Sequence, residues 1–228
     1  MNSAIVYEDK DIIVIHKPAG IATQTARVGQ ADVVSELKNY RQQKGESTYI
    51  GVIHRLDQPV EGLLVFAKTQ AAAKKMTADL QTGRLKKYYY ALVLKAQGTE
   101  GDITDYLIKD GRSNLSRVVT KETPDAKQAK LHWKYVQSCQ KKGQDYDLVE
   151  VEIFTGRHHQ IRVQMSHANM PLLGDTKYGN EESCKVSQAM EIRQTALLAA
   201  KLVLVHPTTG KELIFTIPFP EKWCVKKI

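Results

Sequence analysis

The residues able to do chemistry concentrate in one run, His54-Arg55-Leu56-Asp57-Gln58-Pro59-Val60-Glu61-Gly62, followed by the apolar residues 63–67 and Lys68. A carboxylate two positions after an arginine, then Pro and Gly, then an apolar run, reads as strand, sharp turn and buried strand. In an extended segment Arg55 and Asp57 share one face and Leu56 takes the other. Two chemistries fit. Asp57 is either a turn residue accepting backbone N–H bonds, or a positioned nucleophile or base held ionised by a nearby arginine. Spacing alone leaves both open.

Two other segments carry matching chemistry: Lys87-Tyr88-Tyr89, and Gly156-Arg157-His158-His159-Gln160-Ile161-Arg162-Val163. Together with the first run they resemble the K-x-Y, G-R-x-H-Q-I-R-V and H-R-L-D-x-x-T-S-G-L-L motifs of RluA-type pseudouridine synthases. Residues 171–179 resemble that family's P-I-L-G-D-x-x-Y-G, and residues 197–207 its L-H-A-x-x-L-x-F-x-H-P. His16-Lys17-Pro18-Ala19-Gly20 is similar to the lysine-proline-glycine element after the family's first hairpin.

The resemblance implies an isomerase that breaks the N-glycosidic bond of a uridine in ribosomal or transfer RNA, turns the uracil and rejoins it through C5, without metal or cofactor. Asp57 takes the position of the catalytic aspartate, acting either on the ribose C1′ or on the C2′ proton. Arg162 is the implied cationic partner that keeps it ionised. Tyr89 would stack on the base and assist proton transfer from C5, and Leu197 would wall the pocket. Arg55, Lys87, Arg157, His159 and Gln160 are implied contacts to a flipped-out nucleotide or its phosphates. Val60 and Glu61 depart from the Thr-Ser pair, Gln164 and Leu198 from histidines, and Asn169-Met170 from Gly-His. These departures bear on RNA contacts.

The 228 residues can bury a sizeable core, and the expectation is a single catalytic domain over 1–228 with no accessory N-terminal RNA-binding domain. A net charge of +8 and a pI near 9.2 draw the chain to polyanions. Cys139, Cys184 and Cys224 are widely spaced without a C-x-x-C pair, so neither a disulfide framework nor structural zinc is expected. His158 and His159 lack companion ligands in the sequence. No signal-like or membrane-length apolar run occurs. The expectation is a soluble cytoplasmic protein, monomeric, whose partner is RNA.

Residues 4–7 and 11–16 read as a hairpin, 31–43 and 69–82 as helices, and 86–94 as a strand with Tyr89 and Lys87 on one face. Small strands are expected in a loop-rich lobe at 98–127. Residues 130–136 and 146–154 read as a hairpin around 140–144, with Leu148, Glu150, Glu152 and Phe154 on its polar face. A helix follows Gly156, a polar loop spans 180–187, a helix covers 189–200, and a strand pair closes the chain at 201–206 and 212–217. Hairpins outnumber strand-helix-strand units, which favours an α+β fold: a mixed, largely antiparallel twisted sheet flanked by helices. The resemblance adds the pseudouridine synthase fold with a central active-site cleft. A non-catalytic RNA-binding protein on the same fold is the main alternative, and a carboxylate-dependent nucleoside hydrolase is a more distant one.

Overall fold

The computed structural model describes residues 3–25 and 29–223. In chain order its elements are β1 (Ala4–Glu8), β2 (Ile12–Lys17), α1 (Val33–Gln43), β3 (Gly51–Val52), β4 (Glu61–Ala67), α2 (Gln70–Gln81), β5 (Lys86–Val93), β6 (Glu100–Asp110), β7 (Leu115–Val119), β8 (Lys127–Lys141), β9 (Gln144–Ile153), α3 (Gln160–His167), α4 (Glu181–Ala189), β10 (Leu197–Val205) and β11 (Glu212–Thr216). A short 3-10 turn covers Glu221–Trp223. The chain divides into two compact units, residues 1–87 with 199–217, and residues 88–198 with 218–228.

In the first unit the strands lie in the order β1-β2-β4-β10, with β11 on β10 and β3 on β4. The β1–β2 hairpin turns where Asp9 Oδ1 accepts the amides of Asp11 (2.7 Å) and Ile12 (2.9 Å). Residues 12–15 and 63–67 are wholly buried, as continuous apolar runs covered on both faces must be. Ile12, Val14, Leu63 and Val65 pack with Met76 of α2 and with Leu202 and Leu204 of β10. Both helices start on side-chain caps: Asp32 accepts from Ser35 N, and Thr69 from Ala72 N. Gly62 is the tightest point. Its φ is +133°, and a Cβ there would lie 2.5 Å from both the amide N and the carbonyl O of Ala199, so only glycine lets the two strands approach.

In the second unit the order is β5-β9-β8-β6-β7, and the β6–β7, β6–β8 and β8–β9 ladders are antiparallel. The β8–β9 hairpin closes through Lys142 (φ +50°) and Gly143 (φ +73°), the left-handed pair that matches strand twist. Helix α3 lays Val163 against Leu107 and Ala129, with Val118 and Tyr178 beside them.

The mixed, mostly antiparallel α+β architecture agrees with the sequence reading, and several local expectations are corrected. Residues 53–57 are not a strand, so alternation does not place Arg55 and Asp57. Thr23 Oγ1 instead takes both backbone groups of Leu56, accepting from its N–H (3.1 Å) and donating to its carbonyl (2.9 Å), which replaces a ladder partner. The lobe at 98–127 is built on an eleven-residue strand, β6, rather than small pieces. Leu148 is buried, because at that end of β9 its face is covered by Leu92 of β5 and by Val186 and Met190 in and after α4. Residues 181–189 form a helix, capped by Asn180 with Glu181 and Glu182 in the first turn, where a loop is expected. Residues 197–200 are strand, not helix, since an apolar run carries no period to separate the two. Cys139 is disulfide-bonded, whereas Cys184 is free and exposed; widely spaced cysteines carry no local signature of a bridge. Among the described residues, no helix is long and apolar enough to cross a membrane.

Gly62→Ala should cost about 3 kcal/mol or more, combining overpacking with backbone strain. Gly83→Ala, at φ +74° with nothing within 4 Å, should cost only about 1 kcal/mol. Denaturant unfolding of both variants measures the difference, and equal losses would show that the contact with Ala199 does not constrain the strand.

Candidate active site

In the first unit, Asp57 sits half-buried on the loop between β3 and β4, with Arg55 exposed and Leu56 buried. The loop is fastened from several sides. The Gln58 carbonyl accepts from Gly20 N at 2.8 Å, and Gln58 Nε2 donates to the Gly20 carbonyl at 2.9 Å. The Asp57 carbonyl accepts from Val60 N at 3.0 Å, closing a turn. Beneath it, the fully buried Lys17 ammonium donates to the carbonyls of Ile21 (2.8 Å), Pro18 (3.0 Å) and Gln58 (3.3 Å). Burial pushes Lys17 down to about 8, against the pull of the Asp57 and Glu61 charges. The sequence marks this residue only through its Lys-Pro-Ala-Gly context.

His54 and Lys87 form a second buried pair of cation-forming groups. His54 Nε2 accepts from Val65 N at 3.4 Å, and burial, with a push from the Lys87 charge, holds the imidazole down at about 3. The ring is neutral at neutral pH, with its Nδ1 buried and without a hydrogen-bond partner among the described residues. Lys87 is only 6% exposed, and burial lowers its ammonium to about 8.

In the second unit, Arg162 is held by a fork that the motif does not reveal. Its Nε and Nη2 donate to the two oxygens of Asp175 at 2.6 and 2.8 Å, with both side chains buried. Asp175 Oδ1 also accepts from the amides of Lys177 and Tyr178, and the Tyr178 ring lies 5.1 Å from the guanidinium carbon. The Tyr178 hydroxyl accepts from Ser116 N (2.8 Å) and pairs with His159 Nδ1 (2.7 Å). His159 takes a left-handed backbone at φ +53° at the start of α3 and stacks on His158 at 3.7 Å. Asp175 and Tyr178 were legible as part of a motif but not as the clamp on Arg162. Tyr89 is buried in β5, and Leu197 is buried at the start of β10. Arg157 is exposed. Gln160 spends its amide internally, accepting from Thr155 Oγ1 and Arg157 N and donating to the Lys130 carbonyl, so it shapes the loop rather than reaching for a nucleotide. Lys142 is engaged with Glu191 at 3.0 Å.

The motif departures have local reasons. Val60 is buried, and Glu61 pairs with His16 at 2.9 Å. Gln164 is fully buried and braces two strands through Asp105 Oδ2 (3.0 Å) and the Ala129 carbonyl (3.2 Å). Asn169 adopts φ +58° just past α3, where asparagine substitutes for glycine. Leu198 and Met170 are buried. Asp9, Asp11 and His206 place donor atoms within 4.8 Å of one another, but their bonding is that of a fastened turn. His206 Nδ1 accepts from the amides of Thr208 and Thr209, so the ring proton resides on Nε2 and is donated to Asp9 Oδ2 at 2.8 Å, leaving no lone pair for an ion.

Comparison with known proteins yields a consistent set. The RNA pseudouridylate synthase family model matches residues 11–167. The ribosomal large subunit pseudouridine synthase D of Vibrio cholerae is 34% identical over 226 residues, covering 95% of this chain and 67% of that protein. The uncharacterized RNA pseudouridine synthase YhcT of Bacillus subtilis is 35% identical over 218 residues, 95% of this chain and 68% of that protein. The solved structure of human RNA pseudouridylate synthase domain containing 1 superposes with a TM-score of 0.76 at 22% identity, over 95% of this chain and 83% of that one, and so shares the fold.

The His54 environment sets a pH dependence of stability. Its folded-state value near 3 lies below the ordinary 6.5, so between those limits the unfolded chain binds the extra proton, and stability falls as pH drops from about 6.5 towards 3. His54→Gln, which keeps an acceptor for Val65 N, should flatten that limb in urea unfolding followed across pH. An unchanged acid limb would mean that the ring is solvated or charged.

Proposed function

The chain belongs to the RNA pseudouridylate synthase family, and from that premise we propose that it isomerises uridines of large-subunit ribosomal RNA with Asp57 as the catalytic carboxylate. The observation that carries the assignment is the fastening of the Asp57 loop: Lys17, Thr23 and Gln58 hold its backbone while the carboxylate stays half-exposed. A carboxylate presented on so constrained a loop is prepared for a substrate, because little reorganisation is left for the reaction step. The RNA class rests on the relatives named as ribosomal large subunit synthases, and the reaction is accordingly assigned to the cytoplasm.

In this reading Asp57 acts at C1′ or on the C2′ proton, the N1–C1′ bond breaks, the uracil turns, C5 bonds to C1′ as Asp57 is released or the C2′ proton is returned, and N1 gains a proton as C5 loses one. No atom is gained or lost. Tyr89, buried beside the aromatic run of β5, supplies a ring for the base and a hydroxyl for late proton transfer. Arg162 carries the counter-charge role that its motif implies, and its Asp175 fork fixes the guanidinium plane before substrate arrives. Lys87, buried and cationic at neutral pH, offers a donor to a uracil carbonyl or phosphate oxygen. Arg55 and Arg157, both exposed, are assigned to backbone phosphates.

Incubated with ribosomal RNA lacking its pseudouridines, the wild-type protein should convert a limited set of uridines, detectable as carbodiimide adducts. Asp57→Asn should abolish conversion while RNA affinity stays within about tenfold, or ~1.4 kcal/mol. Conversion at near wild-type rate in that variant would remove Asp57 from the chemistry.

Asp175 is expected to act through Arg162. Arg162→Lys and Asp175→Asn should each lower kcat by about a hundredfold with little change in KM, and the double variant should lose little more than either alone. Additive losses would show that Asp175 supports the fold and not the arginine. Thermal melting screens for unfolding, and Tyr178→Phe tests the clamp where Asp175→Asn proves unstable.

A further inference from the structure

Among the described residues few large hydrophobic side chains are exposed, and Phe154, at 57%, is the most open of them. It follows β9, where its amide donates to the Lys130 carbonyl at 3.0 Å. Since Ile153 pairs with Leu131 and Glu152 with His132, the same register sets Phe154 opposite Lys130, with both side chains on one sheet face. On that face Gln128 lies opposite Tyr106, and its amide reaches the Tyr106 hydroxyl at 3.4 Å. Arg157 Nε donates to the Gln128 carbonyl at 2.8 Å, which ties its exposed guanidinium to the same strand.

Two features leave this face to solvent and give it a sign. Helix α3 covers the reverse side through Val163 on Leu107 and Ala129. The carboxylates of the face gather further along the strands: Asp102 and Glu152 flank His132, and Glu100 and Glu150 flank Lys134. Lys130 stands directly across from Phe154 and Arg157 follows three residues on, while Glu152, two residues before Phe154 on the same face, is engaged with the Tyr88 hydroxyl. An exposed aromatic ring bordered by cations matches a stacking platform for unpaired bases with their phosphates neutralised alongside. An acidic or purely apolar partner would leave either the cations or the ring unmatched.

We propose that Phe154, with Lys130 and Arg157, forms an auxiliary contact for a single-stranded segment of the substrate RNA, separate from the nucleotide being isomerised. The separation follows from the sheet. Tyr88 hydrogen-bonds Glu152 and so shares the Phe154 face, which turns Tyr89 to the opposite one. The contact rests on the RNA-isomerase reading and extends it: a base stacks on Phe154 while flanking phosphates meet the two cations.

The test uses the full chain and a fluorescent, unstructured oligouridylate of about 12 nucleotides, a length within known single-strand site sizes. Phe154→Ala should weaken binding about tenfold, the loss of one stacked base, with Phe154→Tyr near wild type. The paired change Lys130→Ala with Arg157→Ala should flatten the dependence of log affinity on log salt by about 1.4, two single-strand phosphate contacts at ~0.7 each. Unchanged affinity and slope in all these variants overturns the platform, and would point to a protein as the occupant of this face. If wild-type protein still converts uridine in ribosomal RNA, that outcome leaves the isomerase reading standing. If it does not, the isomerase reading fails whatever Phe154 does.

Discussion

Lys17 is fully buried, and its ammonium donates to three backbone carbonyls from two loops, those of Pro18, Ile21 and Gln58. A buried cation costs several kcal/mol in lost hydration unless nearby dipoles and charges replace the water. Here the replacements are the loops themselves. Residues 18–21 and Gln58 converge on one nitrogen, and the Asp57 and Glu61 charges keep it cationic against burial. The fold around the candidate carboxylate is thus a solvation shell for Lys17. Loss of that cation would free both loops together, since each carbonyl would then need a different partner.

The second unit uses the opposite device. Arg162 is buried against a carboxylate, and Asp175 is in turn anchored by two backbone amides and flanked by the Tyr178 ring. Bidentate geometry fixes a plane as well as a position. The hydroxyl of Tyr178 extends the network to His159 and to the backbone of β7, so the first turn of α3, the edge strand and the Asp175 loop share one set of hydrogen bonds. A left-handed His159 backbone is tolerated because its ring is held on both sides, by Tyr178 and by the stack on His158.

The departures from the family pattern sort by burial. Val60, Gln164, Met170 and Leu198 all lie in the interior, where they change packing or bracing. Glu61 is half-exposed and pairs with His16, placing a further carboxylate beside the Asp57 turn and contributing to the field on Lys17.

The sequence alone was sufficient for the family, for the two capped helices of the first unit, and for the placing of Tyr89 with Lys87 on one face of β5. These are local facts: caps, alternation and contiguous motifs are written within a few residues. Where the signal was absent, the expectation failed for a physical reason. The apolar run at 197–200 has no period, so its strand character was decided by neighbouring strands. The stretch at 53–57 looked extended until Thr23, over thirty residues earlier, took both backbone groups of Leu56. The cluster that buries Leu148 with Leu92 and Val186, the fork of Asp175 on Arg162 and the bond from Lys17 to the Gln58 carbonyl all join residues separated in sequence. Their partners are chosen by the need to satisfy buried polar groups and fill space, a condition that exists only once the chain has folded.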